Sequence, residues 1–197
     1  MIKVYFESIH LELIQLLKEA KKDVKICVAW FTDKEIYNVL VEKACEGVFV
    51  DVIIANHQIN KNYGFDFSEL LQNGARVSYI GQLDDGINDS LMHNKFCVID
   101  SDTVISGSYN WSYKARKNDE NILVIRGDSE LSNNFLDKFA SIQPKYGFKL
   151  GSKGVEVVAI QEIMNKWKKG KGLKNNNRES PKSDVVQAGV NKITDKF

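Results

Sequence analysis

The chain has 197 residues, 43% of them hydrophobic and 27% charged, with a formal net charge of +1. That is enough chain for one folded domain with a real core, and the composition excludes a wholly disordered protein. Three cysteines, odd in number and not spaced as metal ligands, exclude a disulfide framework, and three histidines at positions 10, 57 and 93 supply no zinc first shell. No metal or other cofactor is expected. Residues 1–10, interrupted by Lys3, lack the apolar stretch of a signal peptide, and the longest apolar run, Ile26 to Phe31, is far short of a bilayer. With Cys27 and Cys97 reading as buried strand thiols, the expected setting is cytoplasmic, without a transmembrane segment.

The elements alternate along the chain. Ile2 to Phe6 reads as a short strand, and Ser8 can cap a helix through Lys21 with apolar positions Leu11, Leu13, Ile14, Leu16 and Leu17. Val24 to Phe31 reads as a buried strand. Asp33 opens a second helix, with Ile36, Val39, Leu40 and Ala44 on one face, ending at Gly47. Phe49 to Ala55 is the next strand, and Asn56 to Tyr63 reads as a polar loop. A short helix through Leu70 and Leu71 closes at Asn73-Gly74, followed by a strand from Ala75 to Ile80. Further strands are predicted over Phe96–Ile99, Thr103–Ser106 and Ile122–Ile125, and a helix over Ser129–Ser141 with Leu131, Phe135, Leu136 and Phe139 on its apolar face. The pattern is α/β, a layered fold with a mixed central sheet flanked by helices.

Within this pattern, His93-Asn94-Lys95-Phe96-Cys97-Val98-Ile99-Asp100 and Gly107-Ser108-Tyr109-Asn110 form the spaced set H-x-K-x4-D-x6-G-S-x-N. Strand alternation puts His93, Lys95, Cys97 and Ile99 on one face and Asn94, Phe96, Val98 and Asp100 on the other. Ser108 and Asn110, two apart beyond the next strand, can also share a face. An imidazole, an ammonium, a hydroxyl and an amide together suit a phosphate diester. Lys95 can hold a non-bridging oxygen, Ser108 and Asn110 can donate hydrogen bonds, and His93 can act as nucleophile near neutral pH. Singly, each has an ordinary structural explanation: a strand histidine, a solvated lysine, a Gly-Ser turn. Asp100 points away from His93 and is expected to hydrogen-bond the backbone of its turn.

The combination resembles the signature of the phospholipase D superfamily, and the likeness runs over roughly residues 2–143, including the strand end Val28-Ala29-Trp30-Phe31-Thr32. The resemblance implies a phospholipase D-like fold and a metal-independent mechanism. One histidine attacks phosphorus to form a phosphohistidine, a second protonates the leaving oxygen, and lysines and asparagines neutralise the transferring group. It also implies that Glu120, in Asn118-Asp119-Glu120-Asn121, orients the histidine; Asp119 is the alternative, and a surface strand start explains either without chemistry. His93, Lys95, Asn110 and Glu120 are thus the candidate catalytic residues, Lys95, Ser108 and Asn110 the candidate phosphate ligands, and Asp100 and Gly107 structural members of the motif. The motif occurs once where relatives use two copies, so a homodimer with the active site at its interface is expected. Single-motif bacterial nucleases and the mitochondrial cardiolipin hydrolase group resemble this arrangement. The chain is expected to depart from the latter in lacking an N-terminal anchor and a cysteine–histidine zinc insertion.

Residues 1–146 are expected to form the catalytic domain and 147–197 a basic extension. From residue 151 onward the chain carries ten Lys or Arg against five Asp or Glu. Val155 to Trp167 reads as a short amphipathic helix and Gly170 to Ser183 as a flexible stretch. Lys166, Lys168, Lys169, Lys171, Lys174 and Arg178 could contact nucleic-acid phosphates or an anionic bilayer, or form a solvated tail without a partner. Three functions compete: a nuclease on DNA or RNA, a phospholipase or cardiolipin hydrolase on anionic phospholipid, and a non-enzymatic phosphate-binding or scaffold protein. The basic tail favours the first. The acidic run from Asp84 to Asp89 opposes it, since it would repel phosphates near His93. Tyr63, Phe65 and Phe67 are the aromatics a lipid groove would use.

Overall fold

Asp23 begins the strand on which the rest is built. The computed structural model describes residues 1–81, 91–142, 144 and 146–160. In chain order the elements are β1 (Ile2–Tyr5), α1 (Ile9–Lys18), β2 (Asp23–Val28), α2 (Lys34–Cys45), β3 (Phe49–Ala55), α3 (Gln58–Tyr63), α4 (Ser68–Gln72), β4 (Arg76–Ile80), β5 (Lys95–Ile99), β6 (Thr103–Gly107), a 3-10 turn (Ala115–Lys117), β7 (Ile122–Arg126), α5 (Ser129–Ser141), β8 (Tyr146–Gly151) and β9 (Gly154–Ala159). The sheet order is β1-β7-β6-β5-β2-β3-β4-β8-β9, all in one sheet. β2, β3 and β4 run parallel; β5 joins β2 antiparallel and hands on to β6 and β7. This is the mixed α/β sheet that the alternating pattern predicts.

Central strands buried on both faces read as continuous apolar runs. In β2 both Ile26 and Cys27, neighbours on opposite faces, are fully buried. The expected alternation of β5 holds. Cys97 and Ile99 pack with Leu13, Leu17 and Leu40 of α1 and α2. Phe96 and Val98 pack on the other side with Phe139, Phe135 and Leu136 of α5. The strand therefore carries Lys95 to the sheet's end on the α1–α2 face.

Three local expectations differ. Ser8 does not cap α1: it is left-handed at φ 52° and makes no side-chain capping bond. Asn56–Tyr63 is not all loop, because His57 caps α3, its Nδ1 accepting from the Ile59 N–H at 3.2 Å. The buried Asn60 is the reason a polar segment packs at all. Val155 to Ala159 are not helical: Gly154, at φ 118°, turns the chain back, and these residues pair with β8. Three valines in five residues favour a pleated strand over a helix. β8 pairs with β4, so the sheet continues past residue 146. The acidic run Asp84–Asp89, the remainder of the predicted helix to Trp167, and Lys166, Lys168, Lys169, Lys171, Lys174 and Arg178 lie outside the described residues.

Candidate active site

Two walls meet at the end of β2. The first is the motif wall. The hairpin between β5 and β6 turns through Asp100 and Ser101, both left-handed at φ 53° and 57°. Aspartate tolerates that conformation. Its carboxylate accepts from the backbone N–H groups of Lys21, Lys22 and Asp23 at 2.8, 2.7 and 3.1 Å. Burial raises this carboxyl, and the three donors outweigh that, holding it below its ordinary value. Asp100 thus binds the turn before β2 and not its own, locking β5 to β2. Gly107 is required for another reason: a Cβ there would collide with the Asn121 carbonyl. Only glycine lets β6 end against the segment that carries Glu120.

Beyond Gly107, the Ser108 hydroxyl donates to Glu120 and accepts from the Asn121 N–H at 3.1 Å. The other Glu120 oxygen accepts from Asn118 Nδ2 at 3.1 Å. Ser108 has one proton to give, and it is committed to Glu120. In this structure Ser108 seats the carboxylate and offers no hydroxyl donor to a phosphate. Glu120, for its part, is not hydrogen-bonded to His93; its reach toward the motif is electrostatic, its charge opposing the fall in Lys95's pKa.

His93 is exposed at the sheet's end. Partial burial and then the Lys95 ammonium hold its imidazole below the ordinary pKa. Lys95 is itself lowered by burial, and its Nζ donates to the His93 carbonyl at 2.8 Å. Asn110 is 7% exposed, and its Oδ1 accepts from the Trp30 N–H at 3.3 Å. That contact fixes the amide orientation and leaves Nδ2 as the donor, without a hydrogen-bond partner among the described residues.

The second wall comes from outside the motif. Trp30 lies 5.6 Å from His93, ring centroid to ring centroid, with the planes at 74°. Lys95 Nζ stands 5.9 Å from its ring. The Trp30 backbone is held on both sides by Asn60, whose Nδ2 donates to the carbonyls of Ala29 and Ala55, both at 2.7 Å, while Oδ1 accepts from the Phe31 N–H at 2.9 Å. One buried amide thus bridges the ends of β2 and β3, beside the backbone bond from the Ala55 N–H to the Ala29 carbonyl at 3.2 Å. Asp33, fully buried, caps α2 through the N–H groups of Glu35 and Ile36. It also takes Arg116 Nε and Nη2 at 2.7 and 2.6 Å. This fork, with Glu35 added, raises the Arg116 pKa further and ties α2 to the 3-10 turn just after Asn110. Sequence reading identified Asp33 only as a helix cap and did not single out Asn60 or Arg116, because no local spacing links residues 29 to 60 or 33 to 116.

Among the described residues no group of three or more His, Cys, Asp or Glu could hold a metal ion. Of the three aromatics expected to line a lipid groove, Tyr63 is exposed, but Phe67 is buried and Phe65 stacks on Tyr37 at 4.4 Å. Phe31 gathers Phe67, in the core, and the half-buried Phe65 packed against it into one aromatic cluster.

The family described as "Cardiolipin synthase, PLD-like domain" matches residues 13–143, about two thirds of the chain. The chain belongs to the phospholipase D superfamily. This phospholipase D-like domain is 31% identical over 127 residues to a mitochondrial cardiolipin hydrolase of Chlamydomonas reinhardtii, covering 64% of this chain and 53% of that protein. The chain thus spans little more than half the length of that curated relative. Among solved structures it resembles a phospholipase D family member, Nuc, from Salmonella typhimurium (TM-score 0.60, 23% identity, 71% of this chain and 91% of that one). NucT from Helicobacter pylori is comparable (TM-score 0.61, 23% identity, 71% and 93%). At that identity these two likenesses establish the fold. The cytoplasmic setting expected from sequence is overturned by the curated relatives, since those of Chlamydomonas reinhardtii, Mus musculus and Homo sapiens are named mitochondrial. Unpaired thiols and the lack of a long apolar run carry no address. Among the described residues no helix is long and apolar enough to cross a membrane.

Proposed function

We propose that this chain is a metal-independent phosphodiesterase acting on DNA or RNA. The observation that carries the reading is the convergence of the His93, Lys95 and Asn110 side chains on Trp30, at an exposed sheet end. His93 Nε2 or Nδ1 attacks phosphorus, the bond to the leaving oxygen breaks, and that oxygen takes a proton from a second histidine. Water, deprotonated by that second histidine, then breaks the phosphohistidine and frees both phosphate monoester and His93. The Lys95 ammonium and the Asn110 NH2 group neutralise the equatorial oxygens. The depressed His93 pKa supports this assignment, because the attacking imidazole must be neutral. Glu120 acts by keeping Lys95 charged, and Ser108 by seating Glu120.

One His93 lies on one side of an in-line displacement, so a second copy of the chain supplies the other. Light scattering should report twice the 22.4 kDa chain mass. Mixed dimers of wild-type and His93→Ala chains should fail to turn over; half the wild-type rate per pair would overturn the shared site. The catalytic unit, drawn at residues 1–146 from sequence, is best cut after Ile160, because β8 and β9 pair onto the sheet. Removing the basic extension should flatten the salt dependence of nucleic-acid binding by about 0.7 to 0.9 in log–log slope per lost phosphate contact.

The phospholipid reading is favoured by one finding, the relatives named cardiolipin hydrolase and phospholipase D. Burial of Phe67 and the stacking of half-buried Phe65 on Tyr37 count against it. The test is hydrolysis of single- and double-stranded DNA, RNA and cardiolipin in excess EDTA. Nucleic-acid cleavage that survives chelation is expected. Cleavage of cardiolipin alone transfers the reading to lipid, and activity restored only by Mg²⁺ overturns the mechanism.

A further inference from the structure

We propose that His57 and Lys61 form a second phosphate subsite beside the scissile position, holding the phosphodiester one nucleotide along a polynucleotide. The inference rests on the nucleic-acid reading and adds to it groups outside the motif that grip the substrate. The parallel strands β2 and β3 end side by side. β2 runs on into Ala29 and Trp30, β3 into Asn56 and His57, and the Ala55 N–H donates to the Ala29 carbonyl at 3.2 Å. In open α/β sheets ligands bind outside such carboxyl ends. Trp30 contacts two imidazoles there, His93 at 5.6 Å and His57 at 5.9 Å between ring centroids. The two imidazoles are therefore no farther apart than those distances laid end to end. Phosphates of one DNA strand succeed one another every ~3.4 Å of helix axis, so a strand with one phosphate at His93 brings its next within that span.

His57 is half-buried, and its ring is set by the backbone. Nδ1 accepts from the Ile59 N–H at 3.2 Å, so the neutral ring carries its proton on Nε2. Capping residues are ordinarily Asn, Asp, Ser or Thr, whose short side chains serve the cap alone. An imidazole serves it with one nitrogen and keeps the other as a donor. Lys61 follows four residues on, its backbone N–H bonded to the His57 carbonyl at 3.2 Å, which sets both side chains on one side of α3. Lys61 is exposed. Together they offer a phosphate one directed N–H and one mobile point charge. Asn60 lies between them in sequence and is 2% exposed. Its Nδ2 donates to the Ala29 and Ala55 carbonyls, both at 2.7 Å, so the pair is carried at a set place beside Trp30.

Nothing in this assignment depends on which groups a second copy adds around His93. Each copy carries its own end of β3, so a shared site has two such subsites, related by its two-fold axis. A strand leaving the scissile position in either direction then meets one. A subsite away from the reacting atoms holds substrate and transition state alike, so it acts on affinity and KM and leaves the chemical step to the motif. It also selects among substrates: a ligand with two phosphodiesters fills it, and a ligand with one leaves it empty.

The experiment uses the full chain and oligonucleotides with one or two phosphodiesters, TpT and TpTpT, with UpU and UpUpU in parallel. The variants are His57→Asn and Lys61→Ala. Asparagine keeps a capping oxygen for the Ile59 N–H and removes the imidazole donor; thermal midpoints check each fold. Binding is read by calorimetry in a His93→Ala background, where nothing turns over. His57→Asn should lose about 10- to 100-fold in affinity for the longer ligand, the scale of one charge-assisted hydrogen bond, and far less for the shorter. Lys61→Ala should lower the log–log salt slope of the longer ligand by about 0.7. With His93 present, His57→Asn should raise KM for the longer substrate and change kcat far less. Equal losses on both lengths overturn the subsite, as does no loss on either. A His57→Asn chain that light scattering finds dissociated places His57 between the copies and overturns it too. Should His57→Asn not fold, Lys61→Ala must still separate the two lengths, and its failure to do so is equally fatal. A His57 effect seen with cardiolipin against phosphatidylglycerol, and with no oligonucleotide, overturns the polynucleotide assignment. A chain that prefers the longer ligand through His57 but cleaves neither would refute the phosphodiesterase reading and leave the subsite standing.

Discussion

The two walls of the site are built by different means. The motif wall, His93 to Asn110 with Glu120, is short in sequence, and its parts are placed by strand alternation, one hairpin and one glycine. The other wall joins residues 29–33 to Asn60 and Arg116 through buried polar side chains separated by 31 and 83 positions. The first wall carries His93 and Lys95 exposed or half-buried; the second holds the first in place through the buried Asp33 and Asn60 and the half-buried Arg116. Chemistry can be concentrated in a local pattern because strand geometry delivers it, whereas rigidity has to be recruited from across the sheet.

The largest expected effect lies on the motif wall. His93→Ala should lower kcat by about 10²- to 10⁴-fold, the range of a general acid–base or nucleophilic group, with the thermal midpoint unchanged. A variant that instead melts early while keeping its specific activity would reverse the roles of the two walls. Next comes Asp33→Ala, which removes a helix cap and leaves Arg116 facing an emptied, buried site. Loss of a buried partner costs about 3–5 kcal/mol, and urea denaturation should find a change in that range. A cost under about 1 kcal/mol, the worth of the cap alone, would show that the ion pair anchors nothing.

Asn60→Ala should cost less, about 1–3 kcal/mol, for stranding the Phe31 N–H, since the Ala29 and Ala55 carbonyls keep their backbone donors. Its sharper consequence is functional: freeing Trp30 should reduce kcat more than the same destabilisation placed elsewhere, for instance by Ser132→Ala beneath α5. Equal activity in the two would separate Asn60 from the site. The smallest effect is in pH. Because the folded His93 pKa is depressed, protonation favours the unfolded chain, so this group's contribution to stability is present above the ordinary value near 6.5 and is lost as pH falls through the lowered one. Activity that needs the free imidazole should follow the same direction, with the acid limb of kcat/KM below about 6.5. A limb above that value would place His93 in a carboxylate-paired environment, as Glu120 of either copy could supply in a shared site.

Much of this was legible in the order of residues. The α/β alternation and the faces of β5 follow from periods of two and 3.6, and the motif's spacing, with the family resemblance it carries, named Gly107 as a structural member and His93, Lys95, Asn110 and Glu120 as the candidate set. Those rules act between neighbours, and the hydrophobic pattern reports them directly. What the tertiary structure decided are contacts between residues far apart. Asp100 grips the turn before β2, the Ser108 hydroxyl donates its hydrogen bond to Glu120, and Asn60 turns a polar loop into a buried clamp. Val155 to Ala159 form a strand because β8 offers an edge to pair with, and Phe67 enters the core, with half-buried Phe65 packed against it, because Phe31 and Tyr37 are there to receive them. A buried amide or ion pair leaves no periodic trace, since its partner is set by how strands are ordered in the sheet. Spacing along the chain could therefore nominate the reacting groups, and only the packed sheet could show what holds them still.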